Sequence, residues 1–201
     1  MKYDIDSYLF VLFGPSGVGK STILRYFESR LGAESAPKYT TRPSRNTEED
    51  AQDFIYCSSD NFPTEAILVF ESYGHMFGIQ LDAIAESFRK GKSHVIIVGQ
   101  SDDVKKLLSI YGDKVVVIFV FCDIPILRDR ILGTSNLQRA NRWTAICEEL
   151  SNIYSQLGCV NFVINNSNSL ERTFEQVDTI ISKFNNPSNS SMPACKDIEF
   201  Q

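Results

Sequence analysis

Tyr8-Leu9-Phe10-Val11-Leu12-Phe13 runs directly into Gly14-Pro15-Ser16-Gly17-Val18-Gly19-Lys20-Ser21. The first stretch is continuously apolar, the pattern of a strand buried on both faces of a parallel sheet. The second matches G-x-x-x-x-G-K-[ST], a loop whose glycines let successive backbone N–H groups turn inward on phosphate oxygens. Beyond it, Ile23, Leu24, Phe27 and Leu31 recur at helical spacing, and Gly32 stops the pattern. Strand, glycine loop and helix N-terminus in that order predict a nucleoside triphosphate site. Gly14, Pro15, Ser16, Gly17, Val18, Gly19, Lys20, Ser21 and Thr22 would surround ATP. Lys20 would reach the β- and γ-phosphates, and the Ser21 hydroxyl would meet Mg²⁺.

Outward from this loop, β-rich runs alternate with helical patterns. Ile79–Lys90, Ser101–Ile110, Pro125 to Leu132, Arg139–Leu157 and Leu170–Phe184 read as helices. Val95–Val98, Val115–Phe121 and Phe162–Ile164 read as strands. The alternation predicts an α/β fold, a doubly wound parallel sheet of the P-loop NTPase type. Residues 37–78 hold short β-like pieces without a long helix, so they are expected to form a small insertion beside the main sheet. Residues 185–201 turn to Asn, Ser and Pro and are expected to be a mobile tail behind a domain spanning 1–184.

Composition narrows the function classes. The 201 residues carry 20 Lys+Arg against 25 Asp+Glu, a formal net charge of −5, which argues against coating nucleic acid or an anionic membrane. No apolar run approaches the roughly 20 residues of a membrane helix. The five cysteines are scattered and never form C-x-x-C, and the two histidines stand far apart. Neither set suggests a disulfide framework or a metal cluster, so a cytoplasmic setting is expected.

Cations nevertheless gather in two places. Lys38-Tyr39-Thr40-Thr41-Arg42-Pro43-Ser44-Arg45 contains three cations and no acid. Guanidinium forks three residues apart suit a phosphate dianion, although a solvated loop would carry the same charges. A second group comprises Arg128, Arg130, Arg139 and Arg142.

From about residue 8 to 184 the chain resembles the guanylate kinase family. That family carries T-T-R-x-P-R-x-G-E-x-x-G-x-D-Y-x-F, and here Thr40-Thr41-Arg42, Arg45, Glu48, Asp53, Phe54 and Tyr56 stand at matching spacings. The resemblance implies that Arg42 and Arg45 hold the monophosphate of GMP and that Glu48 accepts hydrogen bonds from guanine. Gly74-His75-Met76-Phe77-Gly78-Ile79 aligns with the family's G-N-Y-Y-G-[ST], which brings Phe77 and Gly78 to the acceptor site with Phe54. It further implies a lid over residues 127–142, with Arg130 and Arg142 flanking the transferred phosphoryl group beside Lys20. Asn165, in Asn165-Asn166, would lie near ATP.

Departures from the pattern bear on the acceptor. Phe54 replaces a tyrosine, Lys38 or Tyr39 replaces a serine, Ile79 replaces a hydroxyl residue, and Val98-Gly99-Gln100 stands where the family has D-x-D. The expected activity is transfer of the γ-phosphoryl of ATP to GMP. A ribose 1,5-bisphosphate phosphokinase, whose strand end is similarly free of acids, is the alternative enzyme. A guanylate-kinase-like interaction module with weak catalysis is the alternative of another class.

Overall fold

The structure, a computed structural model, describes residues 7–44, 52–64, 67–72, 74–99, 101–132, 143–144, 146–147, 150 and 158–184. Its elements run β1 (Leu9–Phe13), α1 (Lys20–Leu31), β2 (Lys38–Thr40), β3 (Phe54–Tyr56), β4 (Ile67–Ser72), β5 (His75–Gln80) and α2 (Leu81–Arg89). They continue β6 (His94–Ile97), α3 (Ser101–Tyr111), β7 (Val115–Phe121), α4 (Ile124–Leu132), β8 (Phe162–Asn165) and α5 (Leu170–Phe184). Of the long helix expected over Arg139–Leu157, the described residues Trp143, Thr144, Ile146, Cys147 and Leu150 are helical.

The main sheet has the order β6-β1-β7-β8, and every pair in it is parallel. Strand alternation divides its side chains between two cores. Leu9, Val11 and Phe13 of β1 and Val115, Val117 and Phe119 of β7 face Ile84, Phe88, Val104 and Leu107 of α2 and α3. Phe10 and Leu12, with Val116, Ile118 and Val120, face Ile23, Phe27, Leu127, Ile131, Val177 and Ile180 of α1, α4 and α5. Full burial of each such side chain stabilises the fold by about 1.5–3 kcal/mol, which explains why β1 and β7 read as unbroken apolar runs.

From β1 the chain passes to β6 on one side, then returns across β1 to β7 on the other. Winding therefore reverses at β1, and the crevice at the carboxyl ends of such strands is where ligands bind in this architecture. The glycine loop leaves β1 at that place.

Residues of the expected insertion form a second sheet, ordered β3-β2-β5-β4. Here β2 pairs with β3 in parallel, whereas β2–β5 and β4–β5 are antiparallel. Ile79 belongs to this sheet and does not start a helix. It lies opposite Leu68 and is buried in the core beneath the main sheet, so α2 begins only at Leu81. Ile79 stands two residues before Leu81 and five before Ile84, off the helical stripe that Leu81, Ile84, Ala85 and Phe88 form.

A polar clasp joins β6, α2 and the segment after α1. His94, wholly buried at the start of β6, has its Nδ1 at 2.8 Å from Ser87 Oγ on α2. Ser87 Oγ in turn donates to the Glu34 carboxylate at 2.9 Å, which also accepts from Lys92 Nζ at 2.9 Å. Ser87 Oγ also reaches the Ala83 carbonyl at 3.0 Å, and His94 joins this group as a neutral imidazole. Burial holds its imidazole down at about 4, and nearby Glu34 opposes this only in part.

Candidate active site

Each turn of the glycine loop is required by a neighbour. Gly14 has φ +145°, and a Cβ there would overlap the Val120 carbonyl of β7. Gly19 has φ +95° and packs against the side-chain amide of Asn166. Helix α1 then starts without a side-chain cap and with no acid in its first turn. Its positive dipole end thereby faces the loop without a competing carboxylate of its own. Lys20 Nζ lies over the loop, donating to the carbonyls of Gly14 at 2.5 Å and Pro15 at 2.7 Å.

Asn166, the second member of the Asn165-Asn166 pair, is the fastener of this loop. It is buried, donates from Nδ2 to the Val18 carbonyl at 2.7 Å, and accepts at Oδ1 from Thr173 Oγ1 at 2.7 Å. Arg130 of α4 donates to its backbone carbonyl at 3.0 Å, so this arginine stands beside the loop. Asn165 sits one residue away with a different task. Its Oδ1 accepts from Ser167 N at 2.9 Å, and its main chain pairs with the Gln176 side chain on α5.

A cleft of about 590 Å³ runs from the loop to the insertion, lined by Lys20, Ser21, Arg25, Lys38, Phe54 and Ile97 among others. Thr40 and Thr41 lock the end of β2 to β5. Thr40 Oγ1 donates to the Met76 carbonyl at 3.1 Å, and Met76 N donates to Thr41 Oγ1 at 3.0 Å. Arg42 follows immediately, and its amide N donates back to Thr40 Oγ1 at 3.1 Å. Its guanidinium carbon lies 4.8 Å from the centre of the Phe54 ring, a cation–π distance. Phe54 also packs edge-on against Phe77, at 6.0 Å, which stacks on Phe70 at 5.3 Å.

Lys38, on the same side of the insertion, has its Nζ 5.2 Å from the Phe54 centroid and 3.3 Å from the Ile97 carbonyl. Burial pushes its ammonium down to about 8; Asp53 opposes the shift and Arg42 adds to it. Asp53 is shared with Arg25 of α1 at 3.2 Å, a bridge between the loop's helix and the insertion that the sequence did not announce.

Of the expected site residues, Ser16, Gly17, Gly19, Lys20, Ser21, Thr22 and Phe54 line the cleft, Arg42 and Phe77 contact Phe54, and Arg130 contacts the Asn166 carbonyl. Gly78 lies within β5 opposite Tyr39 and Val69. Arg45, Glu48, Arg139 and Arg142 lie outside the described residues, as does the lid from 133 to 142. Among the described residues no three His, Cys, Asp or Glu side chains converge as a metal site. Mg²⁺ bound with a nucleotide keeps several waters and is held largely by substrate phosphates with one or two protein oxygens. Ser21, in the first turn of α1 and lining the cleft, has the hydroxyl such a site needs. No helix among the described residues is long and apolar enough to cross a membrane.

A family model described as guanylate kinase matches residues 6–184. The guanylate kinase of Chlorobaculum tepidum is 29% identical over 187 residues, covering 88% of this chain and 92% of its own. That of Thermotoga maritima is 29% identical over 142 residues, covering 66% and 67%. That of Schizosaccharomyces pombe is 28% identical over 189 residues, covering 85% and 88%. The crystal structure of guanylate kinase from Anaplasma phagocytophilum superposes with a TM-score of 0.65 at 20% identity, over 90% of this chain and 87% of that one. This last likeness establishes the α/β fold.

Proposed function

Because the chain belongs to the guanylate kinase family, we propose that it is a phosphotransferase that moves the γ-phosphoryl group of ATP to GMP, giving GDP and ADP. The observation that carries this reading is the single cleft shared by the glycine loop and the cationic insertion. A phosphate oxygen of the acceptor is already an anionic nucleophile, so the protein has little proton chemistry to perform. Its work is in-line positioning, charge neutralisation and exclusion of water.

In this reading the backbone N–H groups of residues 14–19 and the α1 N-terminus hold the triphosphate. Lys20 exchanges the Gly14 and Pro15 carbonyls for β- and γ-oxygens. Ser21 holds Mg²⁺, which supplies charge neutralisation when bound. Arg42 and Arg45 take the acceptor phosphate, Glu48 reads the base, and Phe54, Phe77 and Gly78 shape the site. Arg130 and Arg142 bring charge to the transferred group, and Asn165 orders the turn beside the nucleotide. Cysteine spacing supports a cytoplasmic site of action.

The test is ADP release from ATP and Mg²⁺ with GMP, dGMP, AMP, IMP and ribose 1,5-bisphosphate in turn. GMP should be used best, and Lys20→Ala should abolish turnover while the circular dichroism spectrum is retained. Preference for the sugar bisphosphate would replace the acceptor. Silence toward every acceptor, despite ATP binding, would make the chain an interaction module.

A further inference from the structure

Two cations, Lys38 and Arg42, each stand within cation–π distance of the Phe54 ring, which lines the cleft. Lys38 and Phe54 are direct partners in the parallel β2–β3 pairing, so the register of the small sheet sets the lysine's place. Arg42 is held over the same ring by the threonine lock at the end of β2. Near them, the acid Asp53 already faces Arg25. Lys38 Nζ meets the Ile97 carbonyl, at the end of β6 that runs parallel to β1 and opens toward the glycine loop. An ammonium has three donors, and the Ile97 carbonyl takes only one of them while the residue lines the cleft.

Two like charges around a ring, with a shared acid, form an arrangement that an anion would relieve. We propose that Lys38 is a further acceptor-binding residue that takes the acceptor's phosphate dianion jointly with Arg42 beside the Phe54 ring. The inference rests on the phosphotransferase reading and adds a contact to it. Phe54 has no hydroxyl to offer a phosphate, and a charge-assisted N–H···O bond from Lys38 supplies a stronger contact than a neutral hydroxyl would. The lysine's lowered affinity for its proton makes the contact visible. Charged groups facing it are Arg42, which disfavours the ammonium, and Asp53, which favours it; Arg25 acts through Asp53. A bound dianion draws the proton back, so acceptor binding at pH above about 8 takes up a proton. The phosphate of GMP has lost its own second proton by then, with a pKa of about 6.

The experiment compares wild type with Lys38→Met and Lys38→Arg, measuring kcat and KM for GMP and for ATP from about pH 6.5 to 9.5. For wild type, kcat/KM for GMP should fall above about pH 8, the limb that reports the free enzyme. Lys38→Met should raise the GMP KM roughly 10- to 100-fold at neutral pH, leave the ATP KM within about twofold and lose the alkaline limb. Lys38→Arg should keep a low GMP KM and remain flat through about pH 9.5. An unchanged GMP KM with an unchanged alkaline limb in Lys38→Met would overturn the proposal. So would an equal loss for ATP and GMP, the mark of a packing role. Calorimetry with GMP and with inorganic phosphate, in two buffers of different ionisation enthalpy at about pH 8.5, reads proton uptake directly. If no acceptor is turned over, the phosphotransferase reading falls alone. Calorimetry then decides Lys38, with uptake lost in Lys38→Met supporting it and no binding, or unchanged uptake, refuting it.

Discussion

Acidification from about pH 7.5 to 5 should weaken the fold through His94. In the unfolded chain an imidazole titrates near 6.5, whereas in the folded protein burial holds this one at about 4. Between those values the unfolded chain binds a proton that the folded chain does not, so stability falls as the pH falls. At about pH 5 the unfolded imidazole is almost fully protonated and the folded one almost fully neutral. That difference corresponds to a loss of about 2 kcal/mol, or a drop in Tm of roughly 4–8 °C for a chain of this size. Glu34 sits in the same clasp, held down at about 2 chiefly by Lys92 and then Ser87. Its contribution is present above its ordinary value and is lost only as the pH falls from there toward about 2, below the assay window. The measurement is a thermal melt at both pH values for wild type and His94→Gln, whose amide can still meet Ser87 but cannot titrate. The variant should melt lower at about pH 7.5 yet show a pH shift smaller by those several degrees. An identical shift in both proteins would refute the assignment to His94.

Three further outcomes follow from the site. Gly14→Ala forces a Cβ onto the Val120 carbonyl at a left-handed φ; it should cost about 2–4 kcal/mol, read as a fall in the urea midpoint together with lost ATP binding. Asn166→Ala removes the bonds to Val18 and Thr173 and should weaken ATP binding about tenfold by equilibrium titration, with the GMP KM changed far less. Arg42→Ala should raise the GMP KM by roughly 10- to 100-fold while the ATP KM holds, and an unchanged GMP KM would remove Arg42 from the acceptor site.

Parts of this molecule are legible residue by residue, and the reasons are physical. Val115–Phe121 is flanked on both faces by helices and sheet, so every position must be apolar and the strand's limits show in the sequence. Lys20–Leu31 and Leu170–Phe184 each bury one stripe, and their limits match the helical periodicity. Ile79 misleads because β5 ends at Gln80 and α2 starts at Leu81, so no loop residue marks where strand gives way to helix. The glycine loop is legible since its chemistry is local. The partners of Phe54 are not, because Lys38, Arg42 and Phe77 reach it through the pairings β2–β3 and β2–β5, which no local pattern encodes. Asn165 and Asn166 are chemically identical, and only the turn after β8 decides which of them faces Val18.

The bond from Thr173 to Asn166 has an implication for how variants of this chain should be interpreted. Thr173 lies on α5, more than a hundred residues downstream of the glycine loop and outside every motif that marks a nucleotide contact in the sequence. Its hydroxyl nonetheless orients the amide that tethers Val18, while Arg130 rests on the same residue's carbonyl. Thr173→Val, silent in size and shape, would loosen two nucleotide-side elements together and behave in a genetic screen as a lesion of the ATP site.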